Sequence, residues 1–60
     1  MSGEVFRTGE AVRIIDGPFV NFVGVVRAPA TAAGVVKVEV GVRGRDVMLD
    51  VDAFRLERVR

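Results

Sequence analysis

Gly34-Val35-Val36-Lys37-Val38-Glu39-Val40-Gly41-Val42 is the stretch on which the fold turns. On an extended chain Val36, Val38, Val40 and Val42 fall on one side, and Lys37, Glu39 and Gly41 on the other. A period of two with one apolar side is that of a strand lying between a core and water. Working outward, Val42-Arg43-Gly44-Arg45 reads as a tight hairpin, with Gly44 supplying a positive φ. Beyond it Arg45–Val51 alternates again: Val47, Leu49 and Val51 against Asp46, Met48 and Asp50. Upstream, Phe22–Ala28 and Ala11–Asp16 are short β-branched runs bounded by Gly, Pro and Asp, and Phe54–Val59 is the last such run. Asp16-Gly17-Pro18 forms a turn, because Gly17 tolerates unusual φ and Pro18 fixes its own. Ala28–Gly34 is a loop of small residues, and Asp52–Phe54 has room for one helical turn capped by Asp52. No window carries ten residues of helical period. The pattern predicts an all-β domain of five strands. Five strands in 60 residues cannot make two full sheets, so the expected solution is a small bent sheet closed into a barrel, which limits exposed edges.

Composition agrees with a single small domain. Half the residues are hydrophobic, Val alone supplies fourteen, and the four Phe are the only aromatics. A chain of this length buries only about 60% of the surface its unfolded form exposes. Neither Cys nor His is present, so disulfides, zinc ribbons, Cys/His catalysis and the commonest metal ligands are excluded together. Nine basic residues face eight acidic ones, far from the footprint of a dedicated nucleic-acid binder. Eight of the nine are Arg, Lys37 being the exception, and Arg suits bidentate and stacked contacts. No apolar run approaches the ~20 residues that cross a bilayer. Met1–Arg7 reads as a polar lead, with residues 1–5 disordered or an expression scar and the domain over residues 6–60.

Enzyme chemistry finds no footing. The only Ser is Ser2, and no nucleophile–base pair can be assembled. Asp46 and Asp50 alternate on an outward strand face, the ordinary place for solvated carboxylates, and no loop clusters oxygen ligands for a metal. No cofactor and no metal are expected. The residues that stand out are Phe19 and Phe22, in Gly17-Pro18-Phe19-Val20-Asn21-Phe22, with Arg43 and Arg45 around Gly44. Phe in a chain with four of them is ordinarily core, and Arg beside a turn is ordinarily solvated. The alternative is an aromatic anchor rimmed by Arg, residue types enriched where interfaces bind most tightly. At one end of a five-stranded barrel Phe19, Val42, Arg43 and Arg45 would form one such surface.

Gly9-Glu10-x-Val12-Arg13-x-Ile15-Asp16-Gly17-Pro18-Phe19-x-x-Phe22-x-Gly24-x-Val26, followed by Lys37-Val38-x-Val40, Gly44-Arg45 and Leu49-Asp50, closely resembles the C-terminal KOW domain of the NusG family of bacterial transcription factors. The resemblance runs from about Phe6 to Val59. It implies an SH3-like barrel of five strands and a role in recruiting partners, namely termination factor Rho and the ribosomal protein NusE. It also implies a longer parent that grips RNA polymerase through a separate N-terminal domain. By motif position the implied partner surface is Phe19, Phe22, Val42, Arg43 and Arg45. Two departures stand out: Arg43 occupies a position that is commonly Phe, and Ala28–Ala33 replaces a usually charged loop. The KOW register and the alternation together predict a core of Val12, Ile14, Phe22, Val26, Val36, Val38, Val40, Leu49 and Leu56, with Gly24 where no side chain fits.

The resulting expectation is a cytoplasmic, monomeric, non-catalytic binding module that does not engage membranes. Its first rival is an RNA-binding KOW domain using Arg27, Lys37, Arg43 and Arg45. Near-neutral charge and the lack of an aromatic series for base stacking stand against it. A second rival is a purely structural barrel, designed or reconstructed as a fold.

Overall fold

The computed structural model describes residues 6–59, so the lead expected over residues 1–5 lies outside the described residues. Five antiparallel strands follow in chain order: β1 (Ala11–Ile14), β2 (Val23–Ala28), β3 (Val35–Val42), β4 (Arg45–Asp52) and β5 (Leu56–Arg58). A single 3₁₀ turn, Ala53–Arg55, separates the last two. Asp52 occupies its N-cap position but makes no side-chain cap. The two longest strands are the two whose alternation is cleanest. They pair over their full length, from Val42↔Arg45 at the tip to Val35↔Asp52. The connecting pair Arg43 and Gly44 has φ of 52° and 78°, the two positive values a tight primed hairpin turn requires.

The strands are ordered β4-β3-β2-β1-β5, and this corrects the expected SH3-like barrel. β4 and β5 are the two edges, and no ladder joins them, so the sheet is open. The reason is local. β5 has only three residues and pairs with β1 through Val12↔Arg58, Arg13↔Glu57 and Ile14↔Leu56, while its other edge meets no strand of the described residues. The 3₁₀ turn carries the chain from one edge to the other before β5 begins. Opposite the end of β4 stands the β1–β2 loop, not a strand, and Phe19 of that loop packs against the core.

The sheet still bends around a single core. Phe6, Val12, Ile14, Val26, Val36, Val38, Val40 and Leu56 are buried, with Phe19, Val42, Leu49, Val51 and Ala53 packed at its margin. A bulge at Arg27, where the register steps from Val26↔Val38 to Ala28↔Lys37, adds the bend and twist an extra residue brings. Gly24 sits across from Val40. A β-carbon there would lie 2.5 Å from the Glu39 carbonyl oxygen and 2.8 Å from methyls of Val38 and Val40. The expected core needs three changes. Phe22 is 36% exposed, Leu49 is half-buried at the margin, and Phe6, read as part of a polar lead, is 1% exposed. Its ring lies under the Arg58 guanidinium at 5.0 Å.

The outer face is laced by cross-strand ion pairs. Arg13 meets Glu57, Arg27 meets Glu39 at 2.5 Å and Lys37 meets Asp50 at 2.9 Å. Among the described residues no helix is long and apolar enough to cross a membrane.

Candidate partner-binding surface

The β1–β2 loop is built to hold two aromatic rings. Asp16 Oδ1 accepts the Gly17 N–H at 2.9 Å, and the Val20 N–H donates to the Gly17 carbonyl at 3.2 Å. Asn21 then takes a φ of 75°, a left-handed conformation that Asn accepts more readily than most residues. Its N–H donates to the Ile14 carbonyl at 2.7 Å, while the Ile14 N–H donates to the Phe22 carbonyl at 2.9 Å and the Phe22 N–H to the Phe19 carbonyl at 3.1 Å. The loop is thus locked to the end of β1. Phe19 and Phe22 meet edge to face, centroids 5.7 Å apart and planes at 89°, an arrangement favoured by the ring quadrupoles. Phe19 is half-buried, and Phe22 is exposed.

The β3–β4 hairpin supplies the other residues singled out from sequence. Val42 packs against the core margin. Arg43 and Arg45 are exposed, and among the described residues neither has an ion-pair partner. The Gly24↔Val40 rung sets the start of β2 beside the end of β3, so Phe22 and Val42 stand just beyond the same rung. Arg27 and Lys37, grouped with these arginines in the RNA-binding alternative, are engaged by Glu39 and Asp50 on the outer face.

Phe19 also borders a groove that sequence reasoning did not anticipate. It has a volume of about 210 Å³ and opens where the sheet fails to close. Ile14, Phe19, Leu49 and Val51 give it apolar walls, and Asp16, Asp50, Asp52 and Arg55 its polar ones. Beside it Phe54 is 75% exposed, with the Arg55 guanidinium 5.5 Å from its ring centroid. Strict alternation from Leu56 would put Phe54 on the inward side. The 3₁₀ turn breaks that phase and rotates Phe54 outward.

No protein-family model matches the chain. Individual relatives do. The chain is 36% identical over 55 residues to the transcription termination/antitermination protein NusG of Pseudomonas aeruginosa, which covers 92% of the chain and 31% of that protein. Against NusG of Thermus thermophilus it is 40% identical over 47 residues, 78% of the chain and 26% of the relative. Against NusG of Campylobacter jejuni it is 33% identical over 54 residues, 90% and 30% respectively. The chain therefore spans about a third of the length of the relatives it matches.

Proposed function

The chain belongs to the NusG family, as a KOW domain of the bacterial type, and on that premise we propose that it is a protein-docking module. Such domains are non-catalytic and mediate protein contacts in transcription elongation and termination. The partners are Rho or the ribosomal protein NusE, brought to elongating RNA polymerase that a separate N-terminal domain of the parent would hold. The setting is the bacterial cytoplasm, with the domain acting as a monomer. The observation that carries the reading is the Phe19–Phe22 pair, held edge to face on a hydrogen-bonded loop, with Val42 at the core margin and Arg43 and Arg45 exposed and, among the described residues, without ion-pair partners at the β3–β4 hairpin. Rigid aromatics present contact area at little entropic cost, and Phe and Arg are enriched in interface cores. RNA binding is the weaker alternative, because Arg27 and Lys37 already have carboxylate partners.

Titration of the isotopically labelled domain with NusE or Rho tests this. Amide shifts are expected at Phe19–Phe22 and Val42–Arg45; shifts confined to Arg27 and Lys37, with the steep salt dependence of phosphate contacts, overturn it. Arg43 adds a sharper check. A guanidinium is costly in a desolvated apolar interface unless paired, so Arg43→Phe is expected to tighten binding by about 1–3 kcal/mol in calorimetry. Both side chains face the same left-handed backbone at this position, so the change leaves the turn itself comparable. Equal or tighter binding by the Arg43 form would mean that the arginine makes a favourable contact of its own.

A further inference from the structure

Arg55 lies outside the set of residues assigned above, yet it braces the β1–β2 loop from across the groove. We propose that its guanidinium is the positioning element of the docking surface, fixing the angle at which the loop presents Phe19 and Phe22. The inference rests on the domain being a protein-docking module and names a residue that sets the affinity of that surface without touching the partner.

The bonds within the loop fix its shape but not its swing. The N–H groups of Gly17, Val20, Asn21 and Phe22 all donate to the loop itself or to Ile14, so these bonds would survive a rotation of the whole loop about the end of β1. Arg55 opposes that rotation by bond, by bulk and by charge. Its carbonyl accepts the Ile15 N–H at 2.8 Å. A β-carbon at Gly17 would stand 3.2 Å from its Nη1, so the guanidinium occupies the space that a side chain there would take. Carboxylates line the groove from both sides, Asp16 from the loop and Asp50 and Asp52 from β4, and Arg55 is the one cation lining it. Its Nε lies 3.7 Å from Asp52, while Lys37 serves Asp50 on the outer face. Without the guanidinium the loop carboxylate and that of Asp52 would share the groove with no cation between them, and like charge would push the loop off β4. Stability does not account for the residue. Arg55 Nε is buried and makes no hydrogen bond, the only side-chain atom among the described residues of which this is true, and a buried donor left unmade is costly. A partly exposed ion pair at 3.7 Å returns little. An orphaned donor of this kind calls for a role other than stability, and holding the loop supplies it.

The test compares Arg55→Met, Arg55→Lys and the double variant Arg55→Met with Asp16→Asn in the labelled domain. A substitution at residue 55 keeps the backbone carbonyl, so it reports on the guanidinium, and Asn at residue 16 keeps the acceptor for the Gly17 N–H. In the free domain Arg55→Met is expected to lose the nuclear Overhauser contacts between the Phe19 ring and the Leu49 and Val51 methyls, which share the groove. It should keep those between Phe19 and Phe22, and melt no lower than the parent. Its affinity for NusE or Rho should fall about fivefold, the scale on which residues that do not touch a ligand change its binding. Arg55→Lys, which keeps the charge, and the double variant, which removes the repulsion, should recover most of that loss. Unchanged Phe19 contacts to Leu49 and Val51 in Arg55→Met overturn the proposal. So does a fall in melting temperature that accompanies the loss of affinity, which would make Arg55 an ordinary structural residue, or a double variant that binds no tighter than Arg55→Met. The docking reading fails separately, if NusE and Rho spare Phe19–Phe22 and Val42–Arg45 of the parent; the ring-to-methyl contacts need no partner and still decide whether Arg55 holds the loop.

Discussion

Single residues fix the tightest features of this domain, and Gly24 is the clearest. A methyl group there would stand 2.5 Å from a backbone carbonyl oxygen, a neighbour that cannot rotate away as a side chain can. Gly24→Ala must therefore push β2 off β3 at the Gly24↔Val40 rung. The expected loss is about 3 kcal/mol, the upper part of the range for overpacking, measured as a shift in the urea midpoint. Gly41 is the control, since a β-carbon there meets nothing within 4 Å; Gly41→Ala is expected to leave stability unchanged or slightly raised. Equal effects at the two positions would refute the steric account. Gly24 was legible in sequence through the register that places it between Phe22 and Val26. Phe22 itself was misjudged: Asn21 at φ 75° turns the chain just before β2, so the alternation does not extend back to that ring.

At the scale of elements, β3 organises the molecule. It pairs on both sides and sends Val36, Val38 and Val40 into the core. Val38 is wholly buried, on the row Val26↔Val38↔Leu49. Val38→Ala is expected to cost about 2–3 kcal/mol, for the lost methyls and the cavity they leave. An unchanged melting temperature would contradict that placement. Strand content, the β3–β4 turn and the inward face of β3 could all be read from period-two alternation, because alternation is what a half-buried strand imposes on sequence. Closure could not. It depends on whether the last strand reaches the edge of β4, and the residues of Phe54–Val59 do not encode that. The 3₁₀ turn consumes Ala53–Arg55, and the three residues of β5 that follow it pair with β1 alone. The same turn exposes Phe54, and the gap left open becomes the groove beside Phe19. Of the candidate surface, the loop and hairpin residues were legible from turn chemistry and residue type, whereas Leu49, Val51, Asp52 and Arg55 meet the loop only through tertiary geometry.

For the whole molecule, an open sheet needs its two chain ends secured, and one small cluster does this. Phe6 enters the core from the N-terminal side, and the Arg58 guanidinium of β5 lies over its ring. Glu10 joins the two: Oε1 accepts the Arg7 N–H at 3.0 Å, and Oε2 pairs with Arg58 Nε. A lone Phe within a polar lead shows no periodicity, so nothing in the sequence marked this closure. The Arg7 backbone N–H, then the hydrogen bond and charge of Arg58, hold the Glu10 carboxyl below its ordinary pKa against the opposing effect of desolvation. The sign of the linkage follows. A carboxylate whose folded pKa is depressed contributes stability that is fully present above its unfolded pKa and is lost as the pH falls through the folded value. The domain is thus expected to weaken on acidification below the ordinary glutamate range. Glu10→Gln should be less stable than the parent near neutrality, with the difference shrinking as both are taken into acid. Thermal melts of the two proteins from neutral to acid pH would show this as converging curves. Parallel curves would mean that the carboxylate charge does not take part in holding the ends together, and that Phe6 alone anchors the N-terminal segment.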